Sequence, residues 1–91
     1  MLESSVQKHI LKYLKDKAYV IKTITTNKSG TPDLICCYKG LFIAFEVKAK
    51  GKEKNVSELQ QHHISEIIKN GGLAFVVSSL EEVKNIIEGI K

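Results

Sequence analysis

The chain contains no arginine: all fourteen of its basic residues are lysines, set against ten acids for a net charge of +4. Arginine is the usual bidentate reader of guanine edges, so its absence argues against base-specific recognition. Lysine is a flexible point charge suited to phosphate, and a lysine-only basic chain fits backbone-directed, sequence-independent nucleic-acid binding. A solvated basic surface explains the charge equally well on its own. No apolar run reaches the length of a membrane span and the N-terminus carries no signal-peptide core, so the expected location is cytoplasmic. The two cysteines, Cys36 and Cys37, are neighbours. Successive strand side chains point to opposite faces, which leaves neither a disulfide nor a zinc ligand set and implies two reduced thiols. With 91 residues there is room for one core, so residues 1–91 read as a single domain.

Leu2, Val6, Ile10 and Leu14 recur at helical spacing and predict a helix to about Lys17. Tyr19 to Thr26 is rich in β-branched residues and reads as a strand. Two more strands, Pro32 to Tyr38 and Leu41 to Lys48, flank Lys39-Gly40, a two-residue hairpin signal. Lys50 to Lys54 reads as a mobile polar loop. A helix from Ser57 to about Asn70 turns Leu59, Ile64, Ile67 and Ile68 inward and closes at Gly71-Gly72. Leu73 to Val77 reads as a buried strand, and Ser79 with Glu82 as a capping box for a last helix. The order is αβββαβα. Its closing β-α-β unit predicts one parallel pairing inside a mixed α/β sheet flanked by helices.

The most informative stretch is Gly30-Thr31-Pro32-Asp33-Leu34, followed after an apolar strand by Glu46-Val47-Lys48. Glu46 and Lys48 are two apart in a strand, so they share a face, about 7 Å apart along the chain. Placing two carboxylates and an ammonium among Ile43, Ala44, Phe45 and Val47 is unfavourable unless they meet each other or a cation. Asp33 and Glu46, converging from adjacent strands, repel unless a cation lies between them, and a hard divalent ion with few protein oxygens is the natural partner. Asp33 alone would read as a turn cap.

These residues resemble the PD-(D/E)xK nuclease superfamily, and within it the virus-type replication-repair nuclease (VRR-NUC) domains of compact stand-alone phage and bacterial type. The match extends over nearly the whole chain: Glu3 and Gln7 on the opening helix, Gly30 to Leu34, Glu46-Val47-Lys48, and Ser57-x-x-Gln60 at a helix start. The resemblance implies a restriction-endonuclease-like αβββαβ(α) core. It adds the backbone carbonyl of Val47 and the Glu3 carboxylate, directly or through water, to the metal ligands. Gln7 and Gly30 become supporting residues.

The resemblance further implies a Mg²⁺- or Mn²⁺-dependent endonuclease that cuts branched DNA, and for compact members a homodimer resolving four-way (Holliday) junctions. A monomeric nickase or flap nuclease, and a catalytically silent DNA-binding module, are the alternatives. Lys48 is the candidate catalytic lysine. With a free pKa of about 10.4, positioning and charge stabilisation suit it better than proton abstraction. Gln60 reads either as a catalytic residue or as the reciprocal half of a Ser57 capping box. Glu3 reads either as a ligand or as a first-turn acid favoured by the helix dipole. His62 and His63 diverge by about 100° on a helix and form no metal pair. Lys28, Lys50, Lys52 and Lys54 flank the motif strands as candidate phosphate contacts, with Lys8 and Lys22 as outliers.

Overall fold

Val6, Ile10 and Leu14 are spaced one helical turn apart, and burying that stripe sets helix α1 (Glu3–Lys15) against the sheet. A computed structural model describes residues 1–24 and 26–91. After α1 come β1 (Tyr19–Lys22), β2 (Leu34–Tyr38), β3 (Leu41–Val47), α2 (Glu58–Lys69), β4 (Leu73–Val77) and α3 (Leu80–Glu88). Strand order is β1-β2-β3-β4, with β1–β2 and β2–β3 antiparallel and β3–β4 parallel, as the αβββαβα pattern predicts. The β2–β3 hairpin turns at Lys39 (φ 51°) and Gly40 (φ 81°), the paired left-handed conformation that matches the twist of the strands.

Alternation along the strands divides the sheet into two unlike faces. Leu34, Cys36, Ile43, Phe45, Val47 and Val77 point to one face and pack with the α1 stripe and with Val83 and Ile87 of α3. The other face carries Ala44 and the buried acid Glu46, and α2 covers it beside β4, where Ile67 and Phe42 close over Gly72. Towards β1 that face is open: Tyr19, Ile21, Cys37 and Phe42 are exposed beside half-buried Ile35. Among the described residues, no helix is long and apolar enough to cross a membrane.

Several sequence expectations change in detail. Strand β1 ends at Lys22 rather than Thr26; at Thr23 the backbone N–H still reaches Asp33 O (2.9 Å), and the hydroxyl bonds the carbonyls of Pro32 (2.6 Å) and Asp33 (3.1 Å). Thr25, inside the predicted strand, lies outside the described residues. Leu59 and Ile68 do not face inward: they are 46% and 55% exposed, and α2 has no fully buried residue. Strand β4 is an edge strand, and only Ala74 and Val77 of it are buried. At α3 the cap shifts by one: Ser79 Oγ accepts from Glu82 N–H, but Glu82 Oε1 takes the N–H of Ser78 (2.9 Å). The polar stretch after β3 is folded by two backbone turns, Lys52 N–H to Ala49 O and Asn55 N–H to Lys52 O, both 2.9 Å.

Candidate active site

Pro32 has no N–H to give a ladder, and β2 starts only after it, at Leu34. One step beyond the Leu34–Phe45 pair, the register sets Asp33 opposite Glu46 on the α2 face of the sheet. Asp33 Oδ2 accepts the N–H of Val47 at 2.8 Å, which pins its carboxylate over the end of β3. The N-terminus of α1 brings in Glu3, and carboxylate oxygens of Glu3, Asp33 and Glu46 lie within 4.8 Å of one another. Glu3 is exposed, Asp33 half-buried, and Glu46 only 2% exposed.

Burial, then the charge of Asp33 and a hydrogen bond with it, push the Glu46 carboxyl up from 4.5 to about 8, against the opposing pull of Lys48. Without a cation, burial and the neighbouring Asp33 carboxylate therefore disfavour the ionised form of Glu46. Three convergent carboxylates, one of them buried and reluctant to ionise, form a hard-oxygen donor set suited to a small divalent cation. Lys48 Nζ lies 3.6 Å from Glu46 Oε2.

Gln60 ties these groups together. Its Oε1 accepts from Lys48 Nζ (3.2 Å) and from Ser57 N–H (2.9 Å), while its Nε2 donates to Glu46 Oε2 (3.2 Å). Ser57 Oγ in turn accepts Gln60 N–H at 3.1 Å, so the capping box is complete. The two sequence readings of Gln60 are thus one geometry: the amide that caps α2 also bridges Lys48 and Glu46. Two substitutions separate the roles. Ser57→Ala should lower stability by about 1 kcal/mol and leave the site assembled. Gln60→Ala should lower it similarly and also release Lys48 and Glu46. Melting curves paired with single-turnover cleavage check this, and equal loss of cleavage in both variants would contradict the bridge.

The start of α2 is held in place by residues that sequence reasoning undervalued. Gly30 has φ +82°, and a Cβ there would meet Leu59 Cγ at 2.8 Å and the Leu59 backbone at 3.0 Å. One turn on from Gln60, His63 Nε2 bonds Ser29 O at 2.7 Å. Helix α2 is therefore docked on the turn that leads into Asp33. Gly30→Ala should cost about 1–2 kcal/mol in strain and push Gln60 off Lys48, measurable as a lower Tm with a larger fall in cleavage.

Among the described residues no hydrogen bond joins Gln7 to Glu3; Gln7 is half-buried one turn further along α1. Lys28 is exposed on the wall of an open cleft that reaches Asp33 and is lined by Thr23, Thr26 and Thr31. Lys50, Lys52 and Lys54 are exposed on the loop after β3. No partner in the sequence marks the His63 contact, because its acceptor is a backbone carbonyl.

The family model described as "Recombination protein U" (RecU) matches residues 3–87. The chain is 37% identical over 79 residues to the Holliday junction resolvase RecU of Geobacillus sp. (strain WCH70), which covers 78% of this chain and 39% of that protein. With the Holliday junction resolvase RecU of Bacillus pumilus (strain SAFR-032) it shares 36% identity over 72 residues, covering 74% and 35%. It thus spans less than two-fifths of the length of these curated relatives. A solved "VRR_NUC domain" matches with a TM-score of 0.77 at 29% identity, over 98% of this chain and 97% of that one. A second solved chain, "VRR_NUC domain protein", matches in fold at TM-score 0.77 and 22% identity, over 97% and 86%. The expected mixed α/β fold is therefore met.

Proposed function

The chain belongs to the RecU family, and from that membership and its acidic cluster we propose that it is a divalent-metal-dependent endodeoxyribonuclease selective for branched DNA, above all four-way junctions. The observation that carries the reading is the meeting of Glu3, Asp33 and buried Glu46 within 4.8 Å, beside Lys48. The names of the curated relatives supply the junction as substrate.

Asp33 and Glu46 would hold Mg²⁺, with Mn²⁺ as substitute, together with the Val47 carbonyl and Glu3. When bound, the cation supplies Lewis-acid stabilisation of the phosphodiester and lowers the pKa of the attacking water. Lys48 places its ammonium where negative charge grows on the phosphate. Gln60 holds Lys48 and Glu46 in mutual register, so neither must be ordered at the moment of reaction. Lys28, Lys50, Lys52 and Lys54 contact phosphates on either side, with Gly30 and Gln7 in support. Arginine-free contacts give binding that falls steeply with salt and varies little with sequence.

A homodimer completes the proposal. A two-fold assembly presents two sites to a two-fold junction and cuts opposed strands. The open sheet face at Tyr19, Ile21, Cys37 and Phe42 is apolar and exposed, which suits contact with a second copy. The test offers labelled junction, flap, duplex and single-stranded DNA with Mg²⁺, Mn²⁺ or chelator. Light scattering then gives the mass, and a cruciform plasmid reports coupled nicking. The expected result is a mass twice 10.2 kDa and paired symmetric nicks that chelator abolishes. A monomer that accumulates singly nicked circles would leave a nickase or flap nuclease instead.

A further inference from the structure

The loop between β3 and α2 carries Lys50, Lys52 and Lys54, with one acid, Glu53, among them. An acid inside a phosphate-binding loop should oppose its function. Here the carboxylate is turned away: Glu53 Oε2 accepts the hydroxyl of Ser78 at 3.1 Å. Ser78 is buried and directly follows Val77, whose carbonyl takes the N–H of Lys48 at 2.9 Å. The anchor point is therefore one residue from the ladder that carries the candidate catalytic lysine.

The two turns within 49–55 give the loop its shape but do not say where it lies. The same Ser78 hydroxyl also lies 2.9 Å from Glu82 Oε1, so two carboxylates share one proton at the start of α3. The positive end of that helix makes their meeting tolerable. Bonds from its own backbone first, and then from Ser78, hold the Glu53 carboxyl below its ordinary pKa.

Resting on the nuclease reading above, we propose that Glu53 is a positioning residue for DNA: bonded to buried Ser78, it latches the loop so that Lys50, Lys52 and Lys54 face outward beside Lys48 in a fixed place. A latched loop meets the phosphates already ordered, and its side chains lose less freedom on binding.

The test compares Glu53→Ala, Glu53→Gln and Ser78→Ala. DNA affinity is measured without cation, kcat and KM with Mg²⁺, and amide exchange at Lys52 and Asn55 in the free protein. The latch predicts that Glu53→Ala and Ser78→Ala bind about five- to tenfold more weakly, through KM with kcat unchanged. Glu53→Gln should bind at least as tightly as wild type, because its amide oxygen still accepts the Ser78 hydroxyl while one negative charge is gone. Exchange should quicken in the two alanine variants and not in Glu53→Gln.

Charge alone predicts Glu53→Ala as tight as Glu53→Gln and Ser78→Ala neutral; that result overturns the latch. Unchanged exchange in Glu53→Ala overturns it too, whatever the enzyme cuts. A wild-type protein that binds DNA but cleaves none refutes the nuclease reading instead, and leaves the exchange result standing. Glu53 is an exposed loop residue, so its pair of variants decides the matter even if Ser78→Ala folds poorly.

Discussion

Purified Glu46→Ala protein, given a four-way junction and Mg²⁺, should cut at least about a thousandfold more slowly than wild type, while still folding and still binding the junction. Asp33→Ala and Lys48→Ala should behave alike. The reasons differ by residue. Glu46 is the buried member of the acidic cluster and the partner of both Lys48 Nζ and Gln60 Nε2, so its loss would remove a proposed ligand and untie the bridge. Asp33 is fixed by the Val47 N–H, and its loss opens the opposite side of the cluster. In the proposed reaction Lys48 would offer charge where the phosphate gains it. Binding survives because it rests on lysines elsewhere. Single-turnover rates at saturating enzyme separate chemistry from affinity, and Mg²⁺-dependent cutting by Glu46→Ala at near wild-type rate would remove this cluster from the chemistry.

The second large effect is on stability and needs no substrate. Glu46 holds its proton more tightly in the folded chain, with a pKa of about 8 against an ordinary 4.5. Folded protein thus binds more protons than unfolded between those values, and stability falls as pH rises through that window. In chelator, wild type should lose stability on the order of a few kcal/mol between pH 5 and pH 8, a drop in Tm of at least about 10 °C for a domain of this size. Asp33→Asn keeps an oxygen for the Val47 N–H and removes the charge that drives the shift after burial. It should melt higher than wild type at pH 8 without cation and show a flatter pH profile. Mg²⁺ should then raise the Tm of wild type and leave Asp33→Asn where it was. Equal stabilisation of both proteins would place the ion elsewhere.

The sequence was most readable where chemistry and backbone agreed. The apolar run Leu41 to Phe45 before Glu46 and the Lys39-Gly40 turn specified the hairpin. That register then brings Asp33 opposite Glu46. It was least readable where a side chain finds a backbone partner far along the chain. The Thr23 hydroxyl bonds the carbonyls of Pro32 and Asp33, and His63 reaches Ser29 across 34 positions. Neither contact has a periodicity or a matching side chain to announce it. Helix α2 misled for another reason. Its apolar residues have helical spacing, but the helix covers only part of one sheet face, so Leu59, seated against Gly30, and Ile68 stay largely exposed. Gln60 looked like a choice between cap and catalyst because sequence gives one residue one position, whereas an amide has two ends.

The shallow seating of α2 would set a duty cycle for the proposed nuclease. With no fully buried residue, this helix has less to lose on opening than α1 or α3, and segments of that kind open locally long before the whole chain melts. Each such opening would take Gln60 away from Lys48 and Glu46, while the α1–α3 layer stays folded behind them. Warming should therefore silence cleavage several degrees before circular dichroism registers global unfolding, and cooling should restore it at once. A bound junction that presses on the start of α2 would lengthen the closed intervals, making substrate itself the agent that keeps the blade assembled.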